Sequence, residues 1–484
     1  MLLSLVLSLV AVHADTVQSH ITYSDKDGFC VVEQTAGPTL GYSPTSGVKI
    51  IERDGLAFKS FNGTDSLLPY EDWRLPAQVR AADLASRLSI DEIAGLMLYS
   101  QQNRLPMTND TYGGISFGES GMKAWDISDS QRHFLLNDNV RHVLVSTVES
   151  PEAAARWNNN VQALIEGTNH GIPANNSSDP RHSAFQDAEF APGAGGSLSM
   201  WSNLMGIAAS FDPALMRRFG EIASQEYRAL GLATALSPQA DLGTDPRWYR
   251  FNSTFGNDPE LVRDLIREYC DAFQSNSSTD SDWGTGSVNA MVKHWPGGGS
   301  GEGGRDAHYG NGKFAVYPGG CIADHMYPFR EGAFKLEGAT GQASAVMPYY
   351  TVSYMQTDEN VGNSFNRALI TDSLRAGCGY EGVICTDWVM TEVEPLADAV
   401  LIGFSVQNQA FLDIIAGNSE PSALLPFELP VSMEAVERHC EDRPHDIEPY
   451  RDADGNIYTF GFGLNFNGKI SDHRTERYVD KRHR

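Results

Sequence analysis

The chain has 484 residues, 41% hydrophobic and 20% charged, long enough for two or three domains and too apolar for a disordered chain. Its net charge of −26 excludes the basic footprint that a nucleic acid or an anionic membrane requires of a partner, and suits a protein acting on neutral molecules. Aromatic residues reach 10%, which supplies flat faces for stacking.

Met1 to Ala14 is an apolar run too short to span a bilayer, closed by the small-residue pattern Val12-His13-Ala14. It reads as a signal peptide at 1–14, although the basic n-region is missing. Asn-x-Ser/Thr sequons start at Asn62, Asn109, Asn175, Asn176, Asn252 and Asn276. Together these predict a secreted, extracellular glycoprotein. Cys30, Cys270, Cys321, Cys378, Cys385 and Cys440 form no Cys-x-x-Cys pair, which argues against zinc and redox motifs and leaves one or two disulfides open.

Residues 15–80 lack a long period and read as an N-terminal arm. A helical pattern runs from Ala81 to Leu98, its second part opened by the capping-box spacing Ser89-Ile-Asp-Glu92. The chain then alternates. Strands are predicted at Arg141–Ser146, Ile172–Asn175, Ala233–Leu236, Val288–Val292, Ala343–Met347 and Val383–Cys385. Helices are predicted at Pro151–Gly167, Pro213–Leu230, Pro259–Phe273, Ala323–Leu336 and Arg367–Ala376. Such alternation predicts an α/β fold, a (β/α)8-type barrel with a parallel sheet, complete or lacking its last unit; a doubly wound open sheet is the rival. No nucleotide-cradling glycine motif occurs.

The last of these strands, Val383-Ile384-Cys385, reads as buried on both faces and exits on Asp387 beside Trp388. A carboxylate there is costly to bury unless it is paired or used; capping the next helix is the competing role. Four other strands also end on polar clusters. These hold Asp179, Arg181 and His182; Asp241, Asp245, Arg247, Trp248 and Arg250; Lys293, His294 and Trp295; and Tyr349 with Tyr350. In a barrel such ends converge on one mouth. Charged groups there grip sugar hydroxyls, and Trp248, Trp295 and Trp388 offer stacking faces, each competing with a plain core role. A carboxylate nucleophile with a proton donor is the minimum for retaining glycoside hydrolysis. No spacing among His294, Asp179 and Asp387 suggests a metal site, and no metal or organic cofactor is expected.

Lys293-His294-Trp295-Pro296-Gly297-Gly298-Gly299, Ser237-Pro238 through Asp245-Pro246-Arg247-Trp248, Thr254-Phe255-Gly256-Asn257-Asp258-Pro259 and Gly382 to Trp388 together resemble glycoside hydrolase family 3, over roughly Ala81 to Thr391. The resemblance implies a β-glucosidase-like enzyme acting on a β-glucoside or β-linked oligosaccharide, with a barrel domain and then an α/β sandwich domain. It implies Asp387 as nucleophile, and Asp179, Arg250, Lys293, His294 and Tyr350 as sugar-binding residues beside Trp388. Two departures leave assignments open. Tyr249 stands where the family has Gly, so Arg247 competes with Arg250, and Tyr349 competes with Tyr350.

A larger departure follows Pro395. Leu396 to Phe404, Leu424 to Pro430 and Tyr458 to Leu464 resemble the far end of the family's second domain, as if the piece between were deleted. That piece supplies the acid/base Glu in most of the family. The boundaries read as a barrel domain at 81–395, a sandwich remnant at 396–468 and a polar tail at 469–484. The candidate proton donor is His308, with Asp306 as dyad partner, in Gly303-Gly304-Arg305-Asp306-Ala307-His308, which resembles the dyad of the family's N-acetylglucosaminidase branch. An incidental surface loop is the competing reading, and Glu302, Glu392 and Glu394 are weaker candidates. The alternative is a catalytically impaired sugar-binding remnant, or a misassembled gene product lacking the usual acid/base domain.

Overall fold

The structure, a computed structural model, describes residues 21–26, 28–168, 170–179, 182, 198–275, 283–387, 413–415, 417–425, 428–438, 447–473 and 475. The chain divides into two compact units, Met1–Thr391 and Glu392–Arg484.

The first unit opens with antiparallel strands. β1 (Ile21–Lys26), β2 (Phe29–Gln34) and β3 (Leu40–Tyr42) form one sheet, and β4 (Lys49–Arg53) and β5 (Leu56–Ser60) form a hairpin. The predicted helix at 81–98 is two helices, Ala77–Ala85 and Ile90–Leu96. The second carries the expected capping box, with Ser89 Oγ accepting from Glu92 N and Glu92 Oε2 accepting from Ser89 N at 2.8 Å.

A parallel sheet follows, interrupted by small hairpins. Its first strand is β6 (Tyr99–Leu105), which precedes the minor pair β7 (Thr111–Tyr112) and β8 (Ile115–Ser116). Then come β9 (His142–Val148), β10 (Asn175–Ser178), β11 (Thr234–Ala235) and β12 (Asn289–Trp295). β13 (Phe314–Ala315) precedes β14 (Ala345–Pro348), β15 (Val352–Ser353) and β16 (Val383–Ile384). The sheet order is β6-β9-β10-β11-β12-β14-β16, each strand parallel to its predecessor. That is the order of a (β/α) barrel and not of a doubly wound sheet, whose order reverses. Among the described residues β16 and β6 do not pair, so seven strands form an unclosed barrel.

Helices cover the sheet where proline and a capping side chain start them. Ser150 precedes Pro151–Glu166, Asp212 precedes Pro213–Ala229 and Asp258 precedes Pro259–Gln274. Each cap accepts a backbone N–H of the first turn. Strand alternation splits the core in two. Val143, Val145, Ala290, Val292 and Val346 pack with Trp157, Val161, Phe219, Leu265 and Phe273 of the helices, whereas Leu144, Leu236, Met291, Ala345 and Met347 form a separate inner cluster.

Several expectations are corrected. β6 is not predicted by its sequence, because Ser100, Gln101, Gln102 and Asn103 break the apolar pattern. β10 lies three residues beyond the predicted Ile172–Asn175, since Asn175, Asn176, Ser177 and Ser178 carry the pairing. β16 is not covered on both faces: Val383 is 61% exposed, as it sits on the outermost strand. Asn176 is 1% exposed and its Nδ2 donates to Asn158, so this sequon lies inside the folded sheet. Cys30, Cys270, Cys321, Cys378 and Cys385 are free thiols; Cys440 lies outside the described residues. So do the signal-peptide segment, Arg181, Asn276, Trp388, Glu392, Glu394 and Leu396 to Phe404. Among the described residues no helix is long and apolar enough to cross a membrane.

In the second unit, described by itself, a short helix Met433–Arg438 and a hairpin of β17 (Leu464–Asn465) with β18 (Gly468–Lys469) are the regular elements.

Candidate active site

The carboxyl ends of β10, β11, β12, β14 and β16 bring most of the candidate residues into one mouth. Lys293 continues the inward phase of Met291 on β12, and its Nζ donates to Asp179 Oδ1, just beyond β10, at 2.9 Å. The Lys293–His294 peptide is cis. His294 Nδ1 lies 2.7 Å from Asp241 Oδ2. The other oxygen of Asp241 accepts from His294 N at 3.0 Å and Gly298 N at 2.6 Å. Burial alone would raise Asp241, but His294 and those two N–H groups hold it below the usual carboxylate range. Burial lowers His294, with Arg250 adding to the effect against the pull of Asp241. The ring is therefore neutral at pH 7, Nδ1–H donates to Asp241, and the Nε2 lone pair faces the mouth.

Two groups lie near that nitrogen. Asp387 Oδ2 is 3.8 Å away and Arg250 Nη1 is 3.4 Å away. Arg250 Nη2 also donates to Gln239 Oε1 at 3.3 Å. Burial works against the Arg250 charge, but the carboxylates of Asp306, Asp241 and Asp387 around it keep it charged. Arg247 is elsewhere, paired with Asp245 at 2.7 Å with its side chain 69% exposed. Of the two competing arginines, Arg250 is the one in the mouth.

A second cluster adjoins the first. Asp306 is 4% exposed and collects donors from three strand-end loops. His308 N is 2.9 Å from Oδ1 and His308 Nδ1 is 2.5 Å from it; Trp248 Nε1 is 2.5 Å and Tyr349 Oη 3.1 Å from Oδ2. Desolvation would raise Asp306, but the His308 bonds and the Arg250 charge drive it far below the ordinary range. Tyr349 joins the clusters, its ring 4.4 Å from that of His294. Tyr350 packs edge-on against His308 at 4.9 Å. Both tyrosines that compete in the sequence are thus at the mouth.

Two stacking candidates are core residues instead. Trp295 is 0% exposed, wedged against Phe329 and Phe334, with Nε1 donating to Leu369 O. Trp248 is 1% exposed and its indole serves Asp306. Glu302 is on the surface, 3.5 Å from Arg305. The sequence reading overlooked what Asp241, Gln239 and Tyr349 do. Asp241 had one visible signal, its place four residues past Ser237 on the same strand end. Among the described residues no group of three or more His, Cys, Asp or Glu is set to hold a metal ion.

Residues 107–403 match the family model of the glycosyl hydrolase family 3 N terminal domain. The chain belongs to glycoside hydrolase family 3. It is 38% identical to a periplasmic beta-glucosidase/beta-xylosidase of Dickeya chrysanthemi, over 72% of this chain and 51% of that protein. It is 36% identical to beta-glucosidase C of Emericella nidulans, over 69% and 51%. The chain thus spans about half the length of these curated relatives. Among solved structures, a beta-glucosidase from Listeria innocua in complex with glucose aligns at 20% identity and a TM-score of 0.48, over 65% of this chain and 38% of that one.

Proposed function

We propose that the chain is a secreted, retaining, exo-acting β-glycosidase that removes terminal β-linked sugars, glucose foremost. The observation that carries this reading is the seating of Asp387 3.8 Å from a neutral, Asp241-locked His294, in the mouth that also holds the Lys293–Asp179 pair. The site offers the Asp387 carboxyl to an anomeric carbon and places Lys293 and Arg250 nearby as donors for hydroxyls.

In the first step Asp387 forms a bond to the anomeric carbon, the glycosidic C–O bond breaks, and the leaving oxygen takes a proton from His308 Nε2–H. In the second, water gives that proton back to His308 and displaces Asp387. Arg250, Lys293, Asp179 and Tyr350 hold the sugar. The relatives named β-glucosidase and β-xylosidase support the substrate class.

A 2-fluoro-β-glucoside should label Asp387 and no other carboxylate, read by peptide mass spectrometry. Labelling of another carboxylate, or none in an active preparation, refutes the assignment. That β16 and β6 do not pair among the described residues favours a second reading, a sugar-binding chain without turnover. That reading predicts glucose protection against thermal unfolding with no release from an aryl β-glucoside.

A further inference from the structure

Asp306 accepts four hydrogen bonds, and two of its donors have no role so far. Trp248 comes from the loop after β11 and Tyr349 from the end of β14. They converge on Oδ2 at 2.5 and 3.1 Å, while His308 takes Oδ1 through both its backbone N and its ring Nδ1. Trp248 and Tyr349 are 1% exposed each, and the Asp306 side chain is 1% exposed where that of His308 is 20% exposed. The carboxylate is therefore fixed in a buried setting, while the imidazole bonded to it is partly exposed. Indole N–H is a donor only, and burial keeps the Tyr349 hydroxyl protonated, so neither group can take a proton from Asp306.

We propose that Trp248 and Tyr349 are positioning residues that set the proton affinity of His308 through Asp306. The inference rests on the proposed acid role of His308, which it deepens. Each donor to Oδ2 draws charge away from the carboxylate and weakens its hold on the imidazolium. Asp306 locks the tautomer with the proton on Nδ1, so Nε2 is the atom that gives and takes protons. The two Oδ2 donors tune how readily it does so. The groups that face His308 include Asp306 on its own loop and the Tyr349 and Tyr350 rings from the end of β14, with the Arg250 charge acting on Asp306.

The test is the titration of His308 in the full chain, followed by NMR of 13C-labelled histidine and assigned with His308→Gln. Tyr349→Phe and Trp248→Phe should each move the His308 midpoint upward by about half a unit or more. Asp306→Asn should move it downward. A merely structural role predicts no such opposite signs. An unmoved or lowered midpoint in Tyr349→Phe and Trp248→Phe overturns the proposal. Tyr349→Phe loses one hydroxyl from a retained ring, and it decides alone if the tryptophan variant does not fold. The alkaline limb of kcat/KM separates this from the acid role: if the limb fails to follow the His308 titration, the acid role fails while the positioning result stands on NMR.

Discussion

Lys293 Nζ and Asp179 Oδ1 are 2.9 Å apart although 114 positions separate them in the chain. The bond ties the end of β12 to the end of β10 across β11. Lys293→Met leaves the Asp179 carboxylate without its partner in a half-closed site. We expect kcat/KM on an aryl β-glucoside to fall on the order of 100-fold, and stability to fall by about 2 kcal/mol. In Lys293→Met/Asp179→Asn stability should recover while activity stays lost. Equal recovery of both would mean the pair only holds the strands together.

Asp241 is the anchor of His294. Asp241→Asn keeps the shape but removes the charge that fixes the imidazole tautomer: with its carbonyl oxygen held by the two backbone N–H groups, its NH2 faces His294 Nδ1 and opposes a proton there. The expected cost is about 1–3 kcal/mol in denaturant unfolding, with kcat falling more than KM rises. A variant with unchanged kcat would show that the tautomer of His294 does not matter to turnover.

Stability should fall with acid in two stages. His142, His294 and His325 all sit below the ordinary histidine range because of burial. They resist protonation when folded but take a proton near pH 6.5 when unfolded. Their contribution is complete above that pH and shrinks as pH falls through it. Asp241 and Asp306 are also depressed, so their contribution holds down to about pH 4 and is lost below it. Tm measured from pH 8 to pH 3 should decline gently below about pH 6.5 and steeply below about pH 4. A Tm flat between pH 7 and pH 5 contradicts the first stage.

The glycine-rich loop after β12 contains residues of opposite tolerance. A Cβ on Gly299 would lie 1.8 Å from Leu242 O, whereas Gly303 has nothing within 4 Å of such an atom and a φ of +63°. Gly299→Ala should lose about 3 kcal/mol or fail to fold. Gly303→Ala should lose only about 1–2 kcal/mol, the left-handed backbone cost. Thermal melts of the two variants side by side check the ranking.

The strand–helix order was legible because proline, a capping side chain and apolar runs of the right length recur in phase. Pro151, Pro213 and Pro259 mark helix starts, and Val143 to Val145 and Ala290 to Val292 mark strands. β6 and β10 were harder to see because their pairing is made by serine, glutamine and asparagine, whose backbone joins the sheet whatever their side chains prefer. The residues of the mouth were legible as strand-end clusters. Their division of labour was not. That Trp295 is core and Trp248 a donor to Asp306 depends on which side of the sheet each ring falls, and chain order does not encode that. Neither the choice of Arg250 over Arg247 nor the link from Tyr349 to both histidines follows from spacing.

Asn176 gives the chain an unusual sensitivity to where it is made. It reads as an acceptor for oligosaccharide, yet in the finished sheet it is enclosed and bonded to Asn158. A host that attaches a glycan to the nascent chain before β9 and β10 meet would leave a bulky group where a strand must pass. Such molecules would stay unassembled, while a bacterial cytoplasm would yield a uniform product. Asn176→Gln should narrow the difference between the two hosts.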